Sequence, residues 1–136
     1  MKRHEIDYKL IDCLSALVKN LNDESRAGAL VVVEGRRDVE ALNAIGFEGH
    51  IFMLSHRGRF SVLVAEAERY KKTILLLDLD TKGRVLTKRA ALLLQQKKQK
   101  IDLRFRRELA SITKGRLRHI EELGTYKEYL TRLGTD

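Results

Sequence analysis

Three carboxylates of the chain stand directly behind apolar runs, at spacings that chemistry can use. Glu34 follows "GALVVV", and Asp78 and Asp80 close "TILLLDLDTKG". Side chains two apart along an extended chain point the same way, so Asp78 and Asp80 can face one point. If the two runs are neighbouring strands, Glu34 joins them. Three carboxylates in one place repel each other, and either a retained proton or a cation relieves the repulsion. Oxygen donors in this number suit Mg2+, with Mn2+ as a substitute, because such hard ions keep several waters and are shared with substrate phosphates. Gly35 and Gly83 would let phosphate oxygens come close to the backbone. Each piece also has a plain reading. An Asp behind a strand is ordinarily a loop residue or a cap, and Asp80 could cap a helix beginning near Lys82. Asp38, four positions after Glu34, is placed as a first-turn helix acid.

The elements that must position these groups can be read from apolar periodicity. Residues 4–22 form an amphipathic helix, with Ile11, Leu14, Val18 and Leu21 on one face. "GALVVVE", "GHIFMLS" and "TILLLDLD" are strands, and "KIDLRF" is a candidate fourth. Between them "RDVEALNAIG", "RFSVLVAEAERYKK" and residues 82–98 are helical, and "RRELASITKG" and "TYKEYLTRL" continue as helices. Strands alternating with helices of this length predict an α/β fold, a parallel four-stranded sheet with helices on both faces and right-handed crossovers. Ligands of such sheets sit outside the carboxyl ends of the strands. That rule adds further candidates to the carboxylates. Arg36 and Arg37 follow the first strand, and Ser55, Arg57 and Arg59 follow the second; Lys82 and Arg84 open the helix after Asp80. These could hold phosphate, or could simply be an exposed basic turn and helix starts.

Composition narrows the class. The 136 residues suffice for one domain with a real core, and 43% hydrophobic with 34% charged content is that of a globular chain. The lone Cys13 cannot form an internal disulfide, no run reaches the roughly 18 apolar residues of a membrane span, and the start is too polar for a signal peptide. A cytoplasmic protein without membrane association is the expectation. The formal charge of +8 is uneven, since Lys97 to Arg118 holds nine Lys or Arg against Asp102 and Glu108. Such a field attracts polyanions, nucleic acid first among them, although a solvated basic face would look the same. His56 and His119 lack the spacing of a zinc site, and no GxxxxGK[ST] loop occurs.

"VVVEGRRDVEAL" resembles the first motif of the Toprim domain, a strand followed by Glu-Gly, and "ILLLDLDTKG" resembles its second, a strand followed by Asp-x-Asp and a glycine. The domain is shared by topoisomerases, bacterial primases, a class of nucleases, the ribonuclease that matures small ribosomal RNA, and recombination proteins. The resemblance covers about residues 27–100. The tail over 101–136 looks like that of small stand-alone archaeal Toprim proteins and, less closely, of the ribosomal RNA maturase. It implies that Glu34 is the general acid or base and that Asp78 and Asp80 hold Mg2+. Glu34 as a third ligand stays open, and Asp38 matches a less constant acid of the first motif. The function implied is Mg2+-dependent phosphodiester chemistry on RNA or DNA, as a small nuclease. The alternative is a non-catalytic nucleic-acid-binding module or a subunit of a repair or replication complex. Topoisomerase is not the expectation, because strand passage needs a gate and a tyrosine domain that 136 residues do not accommodate.

Overall fold

The computed structural model describes residues 7–55 and 59–134, with side chains up to Leu130. Its elements in chain order are α1 (Tyr8–Arg26), β1 (Ala29–Val33), α2 (Arg36–Ala44), β2 (Ile51–Met53), α3 (Phe60–Ala67) and β3 (Lys72–Leu75). There follow α4 (Thr81–Gln96), β4 (Ile101–Asp102), α5 (Arg104–Ile112), a 3-10 helix (Ile120–Tyr126) and α6 (Lys127–Gly134).

The four strands are parallel, in the order β2-β1-β3-β4. All five residues of β1 are buried, as expected of a strand covered on both faces. Alternation divides them. Ala29, Val31 and Val33, with Ile74 and Leu76, pack in the layer that holds α1, α2, α5 and the 3-10 helix. Leu30 and Val32, with Leu75 and Leu77, pack in the layer that holds α3 and α4. Each fully buried Leu or Val contributes about 1.5–3 kcal/mol through removal from water, so these two layers hold the sheet together.

This topology opens a crevice at one place. From β1 the chain passes through α2 to β2, and from β2 it returns through α3 to β3, on the far side of β1. The segments leaving β1 and β3 therefore part to opposite faces, α2 to one and α4 to the other. Ligands of open parallel sheets are held at such a switch point. The groups that end these two strands are Glu34 on one side and Asp78 and Asp80 on the other.

Several boundaries differ from the sequence reading. Helix α1 continues to Arg26, past residue 22, helped by Asp23, which pairs with Arg26 at 2.7 Å and Lys19 at 3.4 Å. Its first three predicted positions, residues 4–6, lie outside those described, and Asp7 is its N-cap. Strand β3 ends at Leu75, not at Asp80. Leu76 still donates to the Val32 carbonyl at 2.9 Å, but β1 ends at Val33 and offers no ladder beyond. Asp78 and Asp80 are thus loop residues, and extended alternation is not what aligns them. Helix α3 stops at Ala67, short of residue 72. Strand β4 is two residues long because the Asp102 carboxylate accepts the Arg104 N–H at 2.8 Å and turns the chain into α5.

Candidate metal and phosphate site

Asp80 is the N-cap of α4, where its Oδ1 accepts the Gly83 N–H at 2.7 Å. The capping role expected of it as an ordinary residue is real. It uses one oxygen and leaves Oδ2 outside the cap. Asp78 is oriented from elsewhere, since its Oδ1 accepts the backbone N–H of Ile120 at 2.8 Å. A second bond ties the same two segments, from Leu79 N–H to the Arg118 carbonyl at 2.8 Å. The segment before the 3-10 helix is therefore laid along the β3–α4 loop and forms one wall of the site.

That wall brings in His119, which the sequence reading set aside for want of ligand spacing. Ligand atoms of Asp78, Asp80 and His119 all lie within 4.8 Å of one another. His119 Nε2 is 3.3 Å from Asp80 Oδ2, and its Nδ1 is 3.1 Å from Glu122 Oε2. The contact with Glu122 raises the imidazole pKa, with a smaller opposing effect from burial and further support from Asp78.

Glu34 does not join this group, although it lies close enough to feel both aspartates. Burial raises its carboxyl pKa, and the charges of Asp78 and Asp80 add to the effect. Its Oε2 is buried with no hydrogen-bond partner. A buried carboxylate oxygen without a donor is costly, and a cation beside it removes the cost. Burial likewise raises the pKa of Asp78, opposed by the Ile120 N–H and His119. Carboxyls held above their usual range, an orphaned oxygen and oxygen-rich donors are what a divalent cation would satisfy, so the residues present fit the metal that the sequence resemblance implies.

The two glycines behave differently. A Cβ on Gly35 would meet no atom within 4 Å, which leaves an open backbone ledge beside Glu34. The Gly35 N–H is engaged by Asp38 Oδ2 at 3.1 Å. Asp38 is thus a buried helix-capping acid, its pKa raised by burial and then by Asp78. Gly83 is buried, and a Cβ there would strike the backbone carbonyl of Asp78. Its lack of a side chain serves packing between α4 and the loop.

The basic candidates also separate. Lys82 and Arg84 are exposed on the first turn of α4, with Lys82 close enough to lower the Glu34 pKa. Arg36 and Arg37 are exposed on the first turn of α2. Ser55 donates its N–H to the Glu34 carbonyl at 2.6 Å, while Arg59 lies over the Phe52 ring at 5.1 Å. Arg57 and His56 fall outside the described residues. Sequence reasoning missed Arg106, whose guanidinium donates to the carbonyls of Leu77 at 3.1 Å and Asp78 at 2.7 Å. Burial and the nearby Arg84 lower its pKa, opposed by Asp80, Asp78 and Glu34, so it lies within the field of the site. The only signal for it was its place in the basic stretch.

The chain is similar to known proteins over most of its length. A UPF0292 protein of Pyrococcus abyssi is 34% identical over 124 residues, covering 91% of this chain and 87% of its own length. One from Methanocaldococcus jannaschii is 30% identical over 129 residues, covering 93% and 95%. A solved structure of an Aquifex aeolicus protein superposes with a TM-score of 0.69 at 32% identity, covering 80% of this chain and 96% of that one. Among the described residues no helix is long and apolar enough to cross a membrane. Residues 29–112 match the Toprim domain, with its glutamate and Asp-x-Asp motifs at the ends of adjacent strands, and the chain belongs to that family.

Proposed function

We propose that this protein is a small metal-dependent nuclease acting on RNA or DNA. The observation that carries the reading is the buried, unpartnered Glu34 Oε2 beside Asp78 and Asp80, at the switch point of a Toprim sheet. Asp78 and Asp80 would hold Mg2+ or Mn2+, which when bound neutralises charge on a phosphoryl group. Glu34, whose burial raises its proton affinity, exchanges a proton with the attacking or leaving oxygen. The open ledge at Gly35 admits a phosphate oxygen. Lys82 and Arg84, on the rim, bind the flanking phosphates, and Arg37 extends that track from α2. Arg57 belongs to the same proposed track by its position after β2.

The test is cleavage of end-labelled single-stranded and hairpin RNA and DNA with Mg2+ or Mn2+. Wild type is compared with Glu34→Gln and Asp78→Asn. Loss of a proton-transfer group costs about 100-fold or more in rate, and both variants should lose at least that. Cleavage that survives both substitutions would place the chemistry elsewhere. Salt-sensitive binding with no cleavage of any substrate would instead identify a non-catalytic binding module.

A further inference from the structure

His119 lies beyond the part of the chain that matches the Toprim domain, which ends at residue 112. It reaches the acidic pair because the segment carrying it is fastened there twice, by Ile120 N–H on Asp78 Oδ1 and by Leu79 N–H on the Arg118 carbonyl. Packing secures the same segment from behind. Leu117, Ile120 and Leu123 are buried in the core cluster with Ala41 and Leu42 of α2. The imidazole is therefore delivered by a docked element, even though the ring itself is 48% exposed.

Its orientation is also held. A carboxylate only accepts hydrogen bonds, so in the neutral tautomer that can ligate a cation through Nε2 the ring hydrogen sits on Nδ1, facing Glu122 Oε2 at 3.1 Å. Nε2 is then the nitrogen turned toward Asp80 Oδ2 at 3.3 Å. A carboxylate on one ring nitrogen with the other presented to a group of acids is how metal-ligating histidines are held.

Resting on the metal-site reading above, we propose that His119 Nε2 is a third protein ligand of the cation held by Asp78 and Asp80, with Glu122 as its positioning residue. A nitrogen donor among carboxylates shifts preference away from Mg2+, which favours an all-oxygen shell, toward transition dications such as Mn2+.

The test is spectroscopic and needs no substrate. Pulsed electron paramagnetic resonance of the full chain loaded with Mn2+ should show coupling to an imidazole nitrogen, and His119→Ala should abolish it. Calorimetric titration should show Mn2+ affinity falling about 10–100-fold in His119→Ala and Glu122→Gln, the loss typical of removing a ligand's support, with Mg2+ affinity changing much less. Circular dichroism of each variant checks that the fold is intact. Mn2+ bound in an Asp78-dependent way without nitrogen coupling, or with coupling that persists in His119→Ala, would overturn the inference and leave the aspartate site standing. A wild-type chain that binds neither ion would overturn both.

Discussion

A Cβ on Gly83 would run into the Asp78 carbonyl, and the carbonyl of Gly83 in turn accepts the buried Thr87 hydroxyl at 2.6 Å. The atoms met are the Asp78 backbone and not the loose end of a side chain, so Gly83→Ala must push the β3–α4 loop away from α4. Overpacking of this kind costs about 1–3 kcal/mol, to be read as a lower urea midpoint. Gly35→Ala meets open space on an extended backbone, with φ −153°, and should change stability by no more than about 0.5 kcal/mol. If Gly35 is the phosphate ledge, that same substitution weakens nucleic-acid binding, and unchanged binding would remove it from the site. Asp38 gives a pH-dependent counterpart. Burial, then Asp78, raises its folded pKa, so the folded state holds the proton more tightly than the unfolded chain does. The cost of its charge is absent below the unfolded value of about 3.9 and complete once pH exceeds the folded value. Asp38→Asn should therefore stabilise the metal-free protein at neutral pH, with the gain vanishing as thermal unfolding is followed down to about pH 3.5.

At the scale of elements, β4 owes its place to charge more than to length. Asp102 is buried with Lys72 at 3.0 Å and Arg104 at 2.7 Å, and both cations also reach Glu24 at the end of α1, at 2.7 and 3.3 Å. Burial alone would raise the Asp102 carboxyl, but hydrogen bonds from Arg104 and Lys72 outweigh it and hold it far below the carboxylate range. A depressed folded pKa contributes stability that is present above the unfolded value and is lost as pH falls toward the folded one. Asp102→Asn should cost about 2–3 kcal/mol at pH 7, and the gap from wild type should close below about pH 4. None of this was visible in "KIDLRF", which reads as a longer strand, since Lys72 and Glu24, which complete the cluster around Asp102 and Arg104, come from β3 and α1. The alternating elements, their approximate spans and the Glu-Gly and Asp-x-Asp motifs were legible, because buried parallel strands announce themselves as continuous apolar runs. The order β2-β1-β3-β4 was not, because a run of valines carries no record of its neighbour. His119 and Arg106 were hidden for a related reason: each depends on where a later element docks, and that is decided by Ile120, Leu123 and Leu109 in the core.

Over the whole molecule the +8 charge is sorted by the fold, and the sorting can be measured. The basic stretch from Lys97 to Arg118 does not act as one patch. Arg104 is committed to Asp102 and Glu24, near Lys72 at the amino end of β3, while Arg106 is turned to the carboxyl end of the same strand. Lys82 and Arg84 stand free on the rim beside Asp80. Counterion release makes each lost phosphate contact visible, as log affinity falls with log salt by about 0.9 per contact on a duplex and about 0.7 on a single strand. Lys82→Gln and Arg84→Gln should each reduce that slope by nearly one such unit and weaken binding to every sequence alike. Arg104→Gln removes the same formal charge yet should leave the slope unchanged and lower stability instead, because its charge is already spent inside the protein. Equal slopes for all three variants would mean that nucleic acid senses only the net charge, and that the crevice between β1 and β3 is not where the backbone lies.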